Sequence, residues 1–174
     1  MPFNPQQSQQ KRRRPRSRYG TQLQEKQQLK EIFGIREGQL KRYFFSARRA
    51  RGETGPRMIS MLESRLDNAI FRAGFAQTRA QARQMASHRF FSVNGHAVNI
   101  PSYQLKKGDV VQVRETKKSA SYFSNFDKRM QNVRPPSWIS LNPAEFGFTI
   151  TGVPTHEEAN LGVDIRAIVE FFAR

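Results

Sequence analysis

The chain contains no cysteine, which excludes disulfides, thiol catalysis and zinc sites built on Cys ligands. Histidine is scarce: His88, His96 and His156 are the only three, and they lack the local spacing of a metal site. No run approaches the roughly 20 apolar residues of a membrane span, and the basic stretches carry no wide apolar face that would lie on a bilayer. There is no N-terminal apolar h-region, so a secretory signal is not expected. The Arg-rich start has a loose likeness to a transit peptide, against which its prolines and weak amphipathicity argue. Acid is the last shortage. Against 30 Lys and Arg stand 14 Asp and Glu, for a formal net charge of +16. Such an excess opposes compact folding unless a polyanion neutralises it, so nucleic acid is the natural partner.

The cations are unevenly placed. Residues 1–18 form a polar, proline-bearing tail in which Lys11, Arg12, Arg13, Arg14, Arg16 and Arg18 meet no acid; free in solution such a segment is expected to be disordered. A helix is expected over 21–35, opened by Thr21 and closed by Gly34. A second is expected over 37–50, where Leu40, Tyr43, Phe44 and Ala47 follow the i, i+3, i+4, i+7 rule. Lys41, Arg42, Arg48, Arg49 and Arg51 cluster around its other faces, and from Arg36 to Arg57 seven cations meet only Glu37 and Glu53. Ordinary surfaces mix charge signs, so this stretch is read as RNA-facing. From Met130 onward the balance reverses, with three cations against five acids, and this part is expected to face away from RNA.

Gly52–Pro56 reads as a linker. One long helix is expected over 57–73, with Ile59, Leu62, Leu66, Ala69, Ile70 and Ala73 as its buried stripe and Gly74 at a left-handed C-terminal position. Thr78 caps a further helix over 79–87. Phe90–Val93 and Val110–Val113 are strand-like. Asn94-Gly95 is a strong hairpin-turn signal, and Lys107-Gly108-Asp109 is a second turn. Short strands are expected near Phe148–Ile150, and a last helix over 163–172 buries Ile165, Ile168, Val169 and Phe172.

The ordered run Leu62-Glu63-Ser64-Arg65-Leu66-Asp67-Asn68, Gly74-Phe75-Ala76-Gln77-Thr78-Arg79-Ala80, Val93-Asn94-Gly95 and Lys107-Gly108-Asp109-Val110-Val111 resembles the small RNA-binding fold named after small-subunit ribosomal protein four. Tyr19-Gly20-Thr21-Gln22-Leu23-Gln24-Glu25-Lys26, Gly34-Ile35-Arg36-Glu37-Gly38-Gln39 and the ending Ile165-Arg166-Ala167-Ile168-Val169-Glu170-Phe171-Phe172 resemble the flanks of that ribosomal protein family itself. The resemblance covers nearly all of 19–174. It implies an α+β protein: a helical body made from both ends of the chain (19–57 and 116–174), with a small RNA-binding domain (58–115) of two helices and a short antiparallel sheet inserted between them. It implies direct binding of small-subunit rRNA, a role early in assembly, a place at the mRNA entrance channel, and small-subunit proteins three and five as neighbours. The setting implied is the cytoplasmic small ribosomal subunit, with no cofactor, no membrane and no homo-oligomer. Only 18 residues precede Tyr19, where bacterial members usually carry a longer arm, sometimes with metal-binding cysteines. Zinc binding and the rRNA contacts of that arm are therefore not carried over.

The expected RNA-contacting residues follow from charge and resemblance together. In the tail they are Arg12, Arg13, Arg14, Arg16 and Arg18, with Tyr19 and Lys26 beyond it. Arg13, Arg14 and Arg16 approximately match family residues that point to the messenger entrance; contact to rRNA alone is the other reading. Around the second helix they are Lys41, Arg42, Arg48, Arg49 and Arg51. In the inserted domain Arg65 and Arg72, seven apart, and Arg79 and Arg83, four apart, would share helical faces and grip phosphates bidentately. For Arg65 an ion pair with Asp67 or Glu63 is the competing reading. Thr78 would offer its hydroxyl beside the helix amides. His88 either reaches RNA or caps its helix. Lys106 and Lys107 either contact phosphate or simply solvate a turn. Phe71, Phe75, Phe90 and Phe91 suit either base stacking or, better for a reader of folded RNA, core packing.

Two rivals remain in view. Arg65-Leu66-Asp67 also resembles the catalytic signature of pseudouridine synthases, but the chain has no room for their separate catalytic domain. No nucleophile–base pair or Gly-rich phosphate loop appears elsewhere. A free-standing ribosome-rescue factor or translational regulator would carry the small fold with little else, and the matching flanks speak against it.

Overall fold

A computed structural model of the protein describes residues 15–174. The chain begins with α1 (Arg18–Phe33), α2 (Glu37–Arg49) and α3 (Thr54–Glu63). It continues through α4 (Leu66–Arg72) and α5 (Arg79–Ser87) to β1 (Phe91–Val93), β2 (His96–Ala97) and β3 (Val110–Val113). After the short helices α6 (Glu115–Lys118) and α7 (Phe126–Gln131) come β4 (Ile139–Asn142), β5 (Gly147–Ile150), α8 (His156–Ala159) and α9 (Ile165–Phe172). The expected α+β class holds. The sheet is antiparallel throughout, in the order β2-β1-β3-β5-β4.

Two apolar cores divide the molecule. In the helical one, Leu29 and Phe33 of α1, Leu40, Phe44 and Ala47 of α2, and Met58, Ile59 and Leu62 of α3 pack with Ala159 and Ile168. In the other, Leu66, Ile70, Phe75, Ala82 and Met85 lie against the sheet residues Phe91, Val111, Val113, Phe148 and Ile150. Phe123, Phe126, Met130 and Trp138 close this second core from the far side.

That division differs from the boundaries expected at 58 and 115. Helix α3 belongs to the helical body, because its apolar face points at α2 and α9. Residues 121–150 belong with the sheet, because β5 pairs with β3 through Val110↔Thr149, Val111↔Phe148 and Gln112↔Gly147. Only α8 and α9 return to the body.

The single helix expected over 57–73 is two. Ser64 Oγ donates back to Ser60 O at 2.8 Å, and Arg65 turns extended (φ −66°, ψ 143°). Residues 101–105 take up the freed backbone groups: Leu105 N donates to Ser64 O (2.9 Å), Leu66 N to Tyr103 O (2.9 Å) and Asp67 N to Pro101 O (3.1 Å). These bonds pair the amides of Leu66 and Asp67 and the carbonyl of Ser64 where the helix breaks, as buried backbone requires.

Local signals elsewhere perform as their chemistry dictates. Asn94 (φ 51°) and Gly95 (φ 83°) make the left-handed pair of a tight hairpin turn, setting Val93 opposite His96. Gly34 (φ 59°) ends α1 and Thr78 Oγ1 accepts from Gln81 N at the start of α5. The start of α1 lies earlier than expected: Ser17, not Thr21, is the cap, its Oγ accepting from Gly20 N at 3.1 Å. The expected linker at Gly52–Pro56 is shorter, since α3 begins at Thr54.

Candidate nucleic-acid interface

The cations among the described residues fall into two populations, one turned inward and one outward. The inward set sits where the two cores meet. Glu63 is 1% exposed, Asn68 1%, Arg65 2% and Asp67 4%. Arg65 grips Asp67 with both prongs, Nε to Oδ1 at 3.0 Å and Nη2 to Oδ2 at 2.8 Å, and its Nη1 donates to the Tyr43 hydroxyl at 3.0 Å. Arg72 grips Glu63 the same way, with both bonds at 2.9 Å, and also donates to Ala159 O on α8. Arg83 reaches Asp67 at 3.3 Å, Phe33 O at 3.0 Å and Gly34 O. Arg79 donates to Asn68 Oδ1 at 2.8 Å, with Phe71 and Phe33 rings 4.5 and 5.1 Å from its guanidinium carbon.

Four guanidiniums thus share two carboxylates. Burial works against the charge on Arg65, but the hydrogen bonds and charge of Asp67 outweigh it and raise the pKa. For Arg79 the balance tips the other way: burial, then the nearby Arg72 cation, lowers its pKa. Such groups are held by their partners, and removing one leaves an uncompensated buried charge.

This corrects several sequence expectations. Arg65 takes the ion-pair reading: its side chain is buried, with both prongs on Asp67. It lies outside α4, so it shares no helical face with Arg72. Arg72, Arg79 and Arg83 are partly exposed, but their main partners are internal, and they tie α4 and α5 to the body. Lys26 is likewise turned inward: it is 5% exposed, bonded to Glu37 at 2.8 Å and set 4.3 Å from the Phe171 ring centre.

The outward population is on α2 and just beyond it. Lys41, Arg42, Arg48, Arg49 and Arg51 are all exposed, and among the described residues none of them pairs with a carboxylate. Helix α2 can present them because its apolar stripe, Leu40, Phe44 and Ala47, fixes the opposite face on the body core. Lys106 and Lys107 are exposed beside the turn at Gly108, where Lys106 N donates to Asp109 Oδ2 at 2.8 Å. His88 is exposed just past α5; its backbone N–H, not its ring, bonds Gln84 O at 2.9 Å. Thr78 is exposed at the start of α5.

At the start of the described chain Arg16 is exposed, and Arg18 pairs with Glu170 at 2.8 Å. Tyr19 is 49% exposed, with its ring 5.7 Å from that of Phe171. Arg12, Arg13 and Arg14 lie outside the described residues. Of the four aromatics offered two readings, Phe75 and Phe91 are wholly buried and Phe71 and Phe90 pack against the same core.

The sequence reading passed over Phe45, which is 39% exposed among the α2 cations. Its signal was available: it falls off the stripe of Leu40, Tyr43, Phe44 and Ala47. Arg57 and Arg89 are further exposed cations that it did not single out.

A cleft of about 690 Å³ is lined by Arg51, Arg57, Ser60, His156 and Glu157, among others. Among the described residues no hydrogen bond joins Ser60 to His156, and no cluster of His, Asp and Glu could hold a metal ion. No helix among them is long and apolar enough to cross a membrane.

Sequence comparison identifies the family. Residues 1–63 match the ribosomal protein S4/S9 N-terminal domain, and residues 64–111 match the S4 domain. The small ribosomal subunit protein uS4 of Chloroflexus aurantiacus is 46% identical over 165 residues, 94% of this chain and 80% of that protein. That of Herpetosiphon aurantiacus is 42% identical over 165 residues, covering 94% and 78%. That of Polaromonas naphthalenivorans is 43% identical over 158 residues, covering 91% and 76%. With both domains matched in order and the similarity running through nearly the full chain, this protein belongs to the uS4 family of small ribosomal subunit proteins.

Proposed function

We propose that this chain binds small-subunit rRNA through the outward face of α2 and the loop after it, as a structural part of the cytoplasmic small ribosomal subunit. The protein is not an enzyme. One observation carries the reading: five exposed cations, Lys41, Arg42, Arg48, Arg49 and Arg51, have no carboxylate partner among the described residues, whereas the inward-turned Arg65, Arg72 and Arg83 do. A cation without a protein partner is free to displace the counterions of a phosphate backbone. Lys106, Lys107, Thr78 and His88 extend the same contact surface on the sheet domain. Arg72, Arg79 and Arg83 act at second hand, by holding that domain at a fixed angle to α2, as suits recognition of folded RNA by shape.

The finer reading rests on family membership and charge. The protein joins the subunit early in assembly, beside small-subunit proteins three and five. Arg13, Arg14 and Arg16 serve the messenger entrance, holding mRNA phosphates there. The protein acts as one copy per subunit.

Binding of the full chain to the 5′ region of small-subunit rRNA, followed across salt concentrations, tests the core of this proposal. With about six to ten phosphate contacts the affinity falls ~10³–10⁵-fold between 50 and 200 mM salt. A flat response would overturn it. Crosslinking of the tagged protein in cells tests the setting: a signal dominated by transfer RNA, large-subunit RNA or a single messenger would favour a rescue factor or a translational regulator instead.

A further inference from the structure

We infer that Phe45 is a stacking platform for one unpaired nucleobase of the bound RNA, an inference that rests on the rRNA-binding reading and sharpens it. Phe45 stands in the outward face of α2 with Lys41 one turn before it and Arg49 one turn after, at steps of about 6 Å along the axis. Arg42 and Arg48 lie to its sides, and all four cations are exposed. The face contains no acid after Glu37. A lone exposed apolar side chain needs no explanation on most surfaces, but here the apolar group is the centre of a purely cationic field.

The ring is also held in place. Phe44 meets it edge-on, with ring centres 5.4 Å apart and planes at 71°. Phe44 is itself buried and stacked on Phe172 of α9 at 5.1 Å and 28°. The Lys41 ammonium lies 6.0 Å from the Phe45 ring centre, within reach of a phosphate beside the stacked base. Even with these neighbours, Phe45 keeps 39% of its surface exposed. A fixed aromatic face flanked by cations matches what an unstacked nucleotide offers, a π-face and a phosphate on either side. A base-paired duplex offers phosphates, 2′-hydroxyls and base edges but keeps the π-faces of its bases stacked, so the occupant is an unpaired nucleotide in a loop, bulge or junction.

Two substitutions in the full chain separate stacking from bulk. With the 5′ region of small-subunit rRNA as probe, Phe45→Leu weakens binding about 5- to 150-fold, the range of one lost base–aromatic stack. Phe45→Trp retains or improves binding. The dependence of affinity on salt keeps its slope in both, because no phosphate contact is removed. Circular dichroism confirms that each variant is folded. Wild-type affinity in Phe45→Leu overturns the inference, as does an equal loss in Phe45→Leu and Phe45→Trp, or a reduced salt slope. In each of those cases rRNA binding by the wild type still stands. A wild-type chain that does not bind the rRNA overturns the functional reading and this inference together.

Discussion

Glu63, the last residue of α3, and Arg72, the last residue of α4, form a two-pronged ion pair with both bonds at 2.9 Å, and Arg72 extends to Ala159 O on α8. The pair crosses the joint between the two cores and ties three helices with one guanidinium. Asn68 adds two bonds to Glu63, from Nδ2 to its carboxylate at 2.8 Å and to its carbonyl at 2.9 Å. Glu63→Ala strands Arg72 and Arg79 beside a cavity with no carboxylate. We predict a loss of about 3–5 kcal/mol, the cost of breaking a buried pair from one side, read as a fall in the urea midpoint with the slope of the transition unchanged. Replacing Glu63 and Arg72 together with Met is expected to cost less than Glu63→Ala alone, because Arg79, 3.9 Å from Glu63, is then the only guanidinium left without that carboxylate.

Glu37 gives a pH signature. Burial opposes its charge, but hydrogen bonds from Lys26 and then Lys30 outweigh this and hold the carboxyl below the usual glutamate range. A carboxyl depressed in the folded state stabilises above its ordinary pKa of about 4.3, and the benefit disappears as pH falls through the lower folded value. Glu37→Gln is therefore expected to lower the melting temperature at neutral pH, with the gap to wild type closing as pH falls below that range. Because the side chain is 46% exposed, the gap is small and shrinks with added salt. A gap that widens on acidification would reverse the assignment.

Gly55 marks how closely α3 approaches α9. A Cβ at this position would stand 2.6 Å from Ile165 Cγ2 and 3.4 Å from Val169 Cγ2. Both neighbours are β-branched and stiff on a helix, so they cannot swing away freely. Gly55→Ala is expected to cost about 1–3 kcal/mol through overpacking, despite the better helix propensity of alanine. Adding Ile165→Ala should recover part of that loss, and a double-mutant cycle measures the coupling. Strict additivity would show that the two residues do not press on one another.

Much of the fold was legible because local chemistry decided it. Asn94-Gly95 needs a tight left-handed turn, Thr78 caps α5, and the stripe of α2 can bury only one face. The break at Ser64-Arg65 was not legible. Ile59 and Leu62 run on into Leu66, Ala69 and Ile70 at unbroken helical spacing, so periodicity cannot show that the first pair serves one core and the rest the other. The start of α1 was obscured because its inner face carries Gln22 and Lys26, polar residues buried only by virtue of Glu170 and Glu37 at a distance in sequence. The same blindness governed the site. For Arg65 a pair with Asp67 or Glu63 was one of two readings; for Arg72, Arg79 and Arg83 the sequence shows cations but not that Glu63, Asp67 and Asn68 wait beneath them. On α2 no carboxylate pairs with Lys41, Arg42, Arg48 or Arg49 among the described residues, so charge alone marks the surface proposed for RNA.

The two populations of cations separate most sharply in a paired experiment. Arg65→Ala leaves Asp67 buried with only the longer 3.3 Å bond from Arg83 and the backbone of Asn68 for company. It is expected to cost about 3–5 kcal/mol of stability while the salt slope of RNA binding by the molecules that remain folded stays that of wild type. Changing Lys41, Arg42, Arg48 and Arg49 to Gln should do the opposite. Among the described residues these side chains have no ion-pair partner to lose, so each change should alter stability by no more than about 0.5 kcal/mol. Each phosphate contact removed should flatten the dependence of log affinity on log salt by about 0.7–0.9. Urea unfolding and salt-dependent binding on the same two preparations would decide the matter. If Arg65→Ala flattened the slope and the α2 variant did not, the inward and outward roles assigned to these cations would have to be exchanged.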